Sequence, residues 1–286
     1  MICAACALAF AGAAAFNIGS RGEAMTTFAA LEEEVVTLRT PVIITEPEEA
    51  DEDADADTDN ETDETEDPFA WDGSGAELEI DFETLLDKNK DTIAWLHVPA
   101  VSISYPVLYY PYDNDYYLNR DFDGSYSAAG VIYLEYTNKP DFSEQNSFLY
   151  GHNMGDGSMF GDLHRIGIDA DRYEDHPYFY LYDPDGSIRK YLIFSFYETL
   201  TGSSTYFVPE TDDAYDEYVK ERLTRAMREP KEDLKETVDE RMEQRASLVT
   251  MSTCHGGAGT TRRFVVHGVL DGIYTPEDEG DEGVSE

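Results

Sequence analysis

From Thr92 onward the chain breaks into short runs of β-branched and aromatic residues closed by Gly, Pro, Asn or Asp. This rhythm constrains the fold more than any other feature. The runs are Thr92–Val98, Val101–Leu108, Gly130–Tyr136, Ser147–His152, Tyr178–Tyr182, Ile188–Tyr197, Ser247–Ser252 and Arg263–Ile273. Asp183-Pro184-Asp185-Gly186 reads as a hairpin turn between two of them. Leu78, Ile80, Phe82, Leu85 and Leu86 read as an amphipathic entry helix, and Asp113–Arg120 and Met159–Ile166 as helices of one or two turns. Between Thr211 and Gln244 the period changes. Tyr215, Tyr218, Val219, Leu223 and Met227, then Leu234, Val238 and Met242, recur at helical spacing on either side of Pro230, predicting two surface helices. Many short strands with few helices predict a mainly β fold, a closed or nearly closed barrel.

Charge divides the rest of the chain. Its 286 residues carry 61 Asp+Glu against 20 Lys+Arg, a net charge of −41. An acid excess this large excludes a protein that tracks nucleic-acid phosphates, which needs clustered cations. The acid is concentrated, with 14 of the 22 residues from Glu46 to Asp67 acidic and none basic. Such a block repels itself and buries nothing. Residues 21–77 are therefore expected to be an acidic disordered spacer, centred on 46–76. The acidic residues 274–286 are expected to be a disordered tail, and 78–273 the catalytic domain. Residues 1–20 are uncharged and Ala-rich, and read as a membrane anchor or signal segment that leaves the spacer outside the cell. Three cysteines, Cys3, Cys6 and Cys254, give neither a disulfide framework nor a four-ligand zinc site.

Cys254 ends the apolar run Leu248–Thr253 and is followed by the loop His255-Gly256-Gly257-Ala258-Gly259. A lone cysteine at a strand end is commonly a buried structural thiol. Here the next strand opens with Arg262 and Arg263, so a hairpin brings one arginine beside the thiol, where a cation favours thiolate and can hold an oxyanion. Of six histidines, His152 stands out because it leaves a strand for the Gly/Asn-rich loop Asn153–Gly157, a typical seat for a functional residue.

The segment Thr250-Met251-Ser252-Thr253-Cys254 resembles the sortase signature, with Met in place of the usual Leu, and Tyr150–Leu163 resembles the histidine segment of class B sortases. Tyr105-Pro106-Val107 and Asp113–Phe122 are similar to the same class, and the resemblance runs from about residue 79 to 272. It implies a closed β-barrel of about eight strands with an N-terminal helix and a long helical insert before the catalytic strand. It also implies a cysteine transpeptidase that cuts a C-terminal sorting signal after Thr and transfers the surface protein to a peptidoglycan amine. Cys254 would be the nucleophile, His152 the acid/base and Arg263 the oxyanion partner, with Arg262 a rival for that place. The implied groove residues are Asn114, Leu118, Tyr150, Ser252, Thr253 and Tyr206. The glycine-rich loop is shorter than the class pattern, and His255 stands where some relatives carry an acid. No metal or organic cofactor is implied. The implied partners are sorting-signal peptides, a lipid II-type amine and the membrane through the N-terminal segment. A monomer on the outer face of a Gram-positive cell membrane is expected. A pilin-polymerising enzyme, a cysteine peptidase and a non-catalytic surface barrel remain alternatives at this point.

Overall fold

The computed structural model describes residues 26–39, 67–254 and 260–276. The apolar segment 1–20, the acidic residues 40–66, His255 with its glycine loop, and the tail beyond 276 lie outside them. Among the described residues no helix is long and apolar enough to cross a membrane.

Eight strands close into a barrel. In chain order they are β3 (Thr92–Val98), β4 (Ile103–Leu108), β5 (Ile132–Leu134), β6 (Asn146–Tyr150), β7 (Tyr178–Tyr182), β8 (Ile188–Leu200), β9 (Leu248–Cys254) and β10 (Arg262–Tyr274). Around the barrel the order is β10-β8-β7-β3-β4-β5-β6-β9, with β9 returning to β10. The pairs β4/β5 and β6/β9 are parallel and all others antiparallel. The eight runs read from the sequence are these strands, with ends shifted by a few residues.

Closure gives every strand a dry inner face, so the core is built from large side chains. Trp95, Leu96, Ile103, Phe179, Tyr191, Phe194 and Phe196 are fully buried. The Phe179 and Tyr191 rings stack with centroids 5.0 Å apart. The β7–β8 turn forms as predicted. Gly186 takes φ +85, a left-handed value that glycine adopts without strain, and its N–H donates to the Asp183 carbonyl at 3.0 Å.

The insert before β9 holds α5 (Asp212–Arg225) and α6 (Lys235–Glu243), joined through a short 3-10 turn at Glu232–Leu234. Tyr215, Tyr218 and Val219 bury the inner face of α5, and Val238 and Met242 that of α6. Thr211 caps α5 by accepting from the Ala214 N–H.

Several expectations need correction. Leu78–Ile80 is not helical; it is strand β2, and the helix α2 (Phe82–Lys88) begins only after Asp81 accepts from the Thr84 N–H as its cap. Its partner strand, β1 (Val36–Leu38), lies inside the stretch expected to be spacer. Residues 26–35 are helical (α1), and Phe28, Leu31 and Val35 on one face of that helix are buried, Phe28 edge-on to Tyr105. Averaging charge over 21–77 hid this short amphipathic stripe. The chain also packs from before residue 78, where Trp71 stacks on Tyr180 and its N–H donates to the Ile273 carbonyl. At the other end β10 runs through Tyr274 into the expected tail. Asp113–Arg120 forms consecutive turns instead of a helix, with the Tyr116 N–H donating to the Asp113 carbonyl and the Leu118 N–H to the Asp115 carbonyl. Met159 takes φ +53, which a helix does not allow, so the expected helix at 159–166 becomes a turn followed by the short α3 (Arg165–Ile168). A second short helix, α4 (Ala170–Asp175), follows it.

If α1 is part of the domain, Leu31→Ala should lower the free energy of unfolding by about 2–5 kcal/mol, as a truncated core leucine does. Urea denaturation of the full chain measures this, and an unchanged midpoint would contradict the docking.

Candidate active site

Three neighbouring strands set the site. The central one, β9, pairs in parallel with β6, Tyr150 opposite Ser252, and antiparallel with β10, Arg263 opposite Cys254. The parallel register runs on past the end of β6, where the Gly151 N–H still reaches the Ser252 carbonyl at 3.4 Å. His152 and Cys254 each stand two residues beyond the paired Tyr150 and Ser252. The cysteine backbone thus has the histidine chain on one side and Arg263 on the other.

Each neighbour is held in place. A Cβ on Gly151 would come within 2.5 Å of Ile132 Cδ1 and 2.8 Å of Phe160 Cδ2, so only glycine lets the chain turn here against that wall. His152 is half-buried and its Nε2 lies 2.7 Å from the Leu118 carbonyl oxygen. A carbonyl only accepts, so Nε2 carries the proton and Nδ1 is left as the exchangeable nitrogen. Arg263 is half-buried, and its Nη1 donates to the carbonyls of Thr260 at 2.8 Å and Arg262 at 2.9 Å. Alternation along β10 sends Arg262 the other way, exposed and ion-paired to Glu198. Arg263 therefore lines the adjoining cleft and Arg262 does not.

A cleft of about 380 Å³ runs past these residues. His152, Arg263 and all six predicted groove residues line it: Asn114, Leu118, Tyr150, Tyr206, Ser252 and Thr253. Asp115, Tyr133, Gly151, Thr201 and Gly202, which sequence reasoning did not single out, complete the lining. Phe207, the next residue after Tyr206, is 52% exposed and is not among the lining residues.

The walls are cross-braced. The Tyr206 hydroxyl and Ser252 Oγ are 2.7 Å apart, and the Tyr150 and Tyr206 rings stack at 6.4 Å. Glu135, just past β5, is a residue that sequence reasoning missed. It accepts from Asn114 Nδ2 at 2.6 Å and from the Tyr150 hydroxyl at 3.0 Å, while Asn114 Oδ1 accepts from the Tyr136 N–H at 2.8 Å. Burial and the adjacent Glu135 carboxylate push the Tyr150 phenol well above the usual range, so it stays a donor. An acid at the end of a strand run looks like ordinary surface charge, which is why no sequence signal marked it. Thr253 Oγ1 is buried with no hydrogen-bond partner among the described residues.

Behind the site lies a polar layer. His267 is fully buried between Thr250 Oγ1 at 2.9 Å and the Tyr197 hydroxyl at 3.1 Å. Burial first, then the cations of Arg222 and Arg225, hold its pKa well below the ordinary imidazole value. It is a neutral packing residue, with no access to the cleft chemistry.

The family model described as the Sortase domain matches residues 96–271. Sortase B of Listeria monocytogenes is 32% identical over 199 residues, covering 68% of this chain and 75% of that relative. Sortase B of Staphylococcus aureus is 32% identical over 191 residues, covering 65% and 72%. Among solved structures, the Staphylococcus aureus sortase B–substrate complex has a TM-score of 0.57 at 29% identity, covering 66% of this chain and 83% of that one.

Glu135→Ala would leave the Asn114 amide and the Tyr150 hydroxyl unpaired in a half-buried wall. It should cost about 1–3 kcal/mol of stability. Chemical denaturation that shows no loss would mean that Glu135 does not brace the cleft.

Proposed function

The chain belongs to the sortase family, with class B sortases as its relatives, and from that premise we propose that it anchors surface proteins to peptidoglycan by transpeptidation in this cleft. The carrying observation is the register that sets Cys254 between the histidine chain and Arg263.

The chemistry follows from the groups present. The Cys254 thiolate attacks the carbonyl carbon of the Thr that ends the recognised part of a sorting signal, forming a C–S bond and an oxyanion. Arg263 already spends Nη1 on two loop carbonyls, which fixes the plane of its guanidinium, and the fork's remaining donors meet the oxyanion. The C–N bond after Thr then breaks. His152 Nδ1, which took the thiol proton when the Cys254 thiolate formed, gives it to the departing amine, and Nε2–H stays on the Leu118 carbonyl throughout. A thioester remains on Cys254. An amine of a peptidoglycan precursor of the lipid II type attacks it, His152 takes the proton, and the thiolate leaves as the new amide forms. Thioesters react readily with amines, so a thiol suits transfer better than a hydroxyl would.

The sorting peptide lies along the wall formed by Asn114, Leu118, Tyr150, Tyr206 and Ser252. Its apolar side chains meet Leu118 and the tyrosine rings, and the Thr253 hydroxyl, without a partner among the described residues, bonds its backbone. The enzyme works as a monomer on the outer face of the cell membrane, anchored by residues 1–20. The uncharged N-terminal stretch and the acidic run without a base support that orientation.

Mass spectrometry of the full chain mixed with a library of sorting-signal peptides and candidate amines tests the reading. We expect a thioacyl adduct on Cys254 and an amine-exchanged product, both absent in Cys254→Ala. Arg263→Ala should lower kcat/KM by about 10²–10³-fold and His152→Ala by about 10²–10⁴-fold. Arg262→Ala, which only loses an exposed ion pair, should stay within about threefold. Adducts that yield hydrolysed peptide with every amine would contradict the transfer step.

A further inference from the structure

Tyr206 enters the cleft from the 3-10 turn Ser204–Tyr206, which follows β8 and precedes the insert helix α5. On the cleft side the Tyr206 side chain meets Ser252 and the Tyr150 ring. On the opposite side the turn is attached to the insert helix and to β8, and the most unusual partner is Arg222 of α5, whose side chain is completely buried. Its guanidinium lies over the Tyr218 ring at 3.7 Å, and Nη1 is 2.8 Å from a Glu221 carboxylate oxygen. Nη2 donates to the Ser204 carbonyl. Glu221 in turn accepts from Ser204 Oγ at 2.7 Å. Tyr218, one helical turn away, donates its hydroxyl to the Thr205 carbonyl at 2.8 Å. The Thr205 hydroxyl, also buried, bonds to the Tyr197 hydroxyl at 3.1 Å.

We propose that Arg222 is a positioning residue for substrate recognition: through Ser204 it locks the Ser204–Tyr206 turn onto α5 and so fixes the Tyr206 wall of the peptide cleft. The proposal rests on the peptide lying in that cleft. Three observations carry it. A fully buried cation is expensive unless it is paired, and here Glu221 pairs it while Nη2 holds the Ser204 backbone carbonyl. The same turn is held at consecutive residues, Ser204 by Arg222 and Glu221 and Thr205 by Tyr218. The next residue, Tyr206, reaches Ser252, two positions before the nucleophile. The helical insert therefore acts on the site without touching the substrate, and Arg222 acts through Tyr206.

The test uses Arg222→Met, which keeps the length and apolar bulk of the side chain while removing the fork, so the buried site stays filled. Tyr206 is replaced by 3-fluorotyrosine in the full chain and followed by 19F NMR, with Tyr133 on the other wall labelled as a reference. We expect Arg222→Met to shift or broaden the Tyr206 signal and leave the Tyr133 signal in place. With sorting peptide, KM should rise about tenfold while kcat stays within about twofold, the pattern of lost uniform binding. A residue that merely stabilised the fold would move both signals together, or neither kinetic constant in this split. An unchanged Tyr206 signal, or an unchanged KM, overturns the proposal. If the wild-type chain processes no peptide, the transpeptidase reading fails on its own, and the NMR comparison still decides whether Arg222 holds Tyr206.

Discussion

The site depends on one strand being shared between two ladders of opposite sense. Strand β9 runs parallel to β6 and antiparallel to β10, so the ends of all three chains that matter meet at one rim of the barrel. A parallel pair brings like ends together, which is how the exit of β6 with His152 reaches the level of Cys254. An antiparallel pair joins the end of one strand to the start of the next, which puts the first residues of β10 opposite that cysteine. Because side chains alternate with period two, a slip of one residue in β10 would exchange Arg263 for Arg262 and reverse every inward side chain with it. That slip is costly because it would pull His267 away from Thr250 and Tyr197 and leave their buried groups unpaired.

A second constraint is the polar layer under this rim. Asn146 of β6 donates its Nδ2 to the Tyr218 hydroxyl, and its side-chain Oδ1 accepts from Thr250 of β9; Thr250 also meets His267 of β10, which meets Tyr197 of β8. One connected set of buried groups therefore ties four barrel strands to the insert helix. Each member is satisfied by another, the condition under which a buried polar network sharpens a structure instead of weakening it. The neutral state of His267 belongs to this design, since a charge there would face the cations of Arg222 and Arg225.

How much of this could be read in advance depended on the physical signal available. Strands β3 and β7 were legible residue for residue because turn residues bound their apolar runs on both sides. Strands β1 and β2 were not, since three residues carry too little periodicity and their pairing bridges the acidic run. The helical face of Phe28, Leu31 and Val35 was present in the sequence but outweighed by neighbouring acids. Spacing alone left His152 one candidate among six and left Arg262 and Arg263 unranked. Motif resemblance gathered the cleft residues and chose Arg263 over Arg262, and the fold sets Arg263 in the cleft lining and Arg262 outside it. Glu135, Thr201 and Gly202 were invisible because a strand-end acid, a threonine and a glycine acquire meaning only from what the fold sets beside them. Arg222 was hidden for the opposite reason, since a charged residue on a charged helix gives no hint of complete burial.

The register of β9 against β10 is the claim on which the account of the site rests, and a cross-strand disulfide measures it most directly. Residues paired directly across an antiparallel ladder stand about 4.5–5.5 Å apart at Cα, within disulfide range. Arg263→Cys and Arg262→Cys, each oxidised mildly in the full chain and mapped by peptide mass spectrometry, should differ. The account predicts a Cys254 cross-link to residue 263 and none to residue 262. A cross-link to 262 instead would mean that the ladder is shifted by one residue and that the wrong arginine has been placed at the cleft.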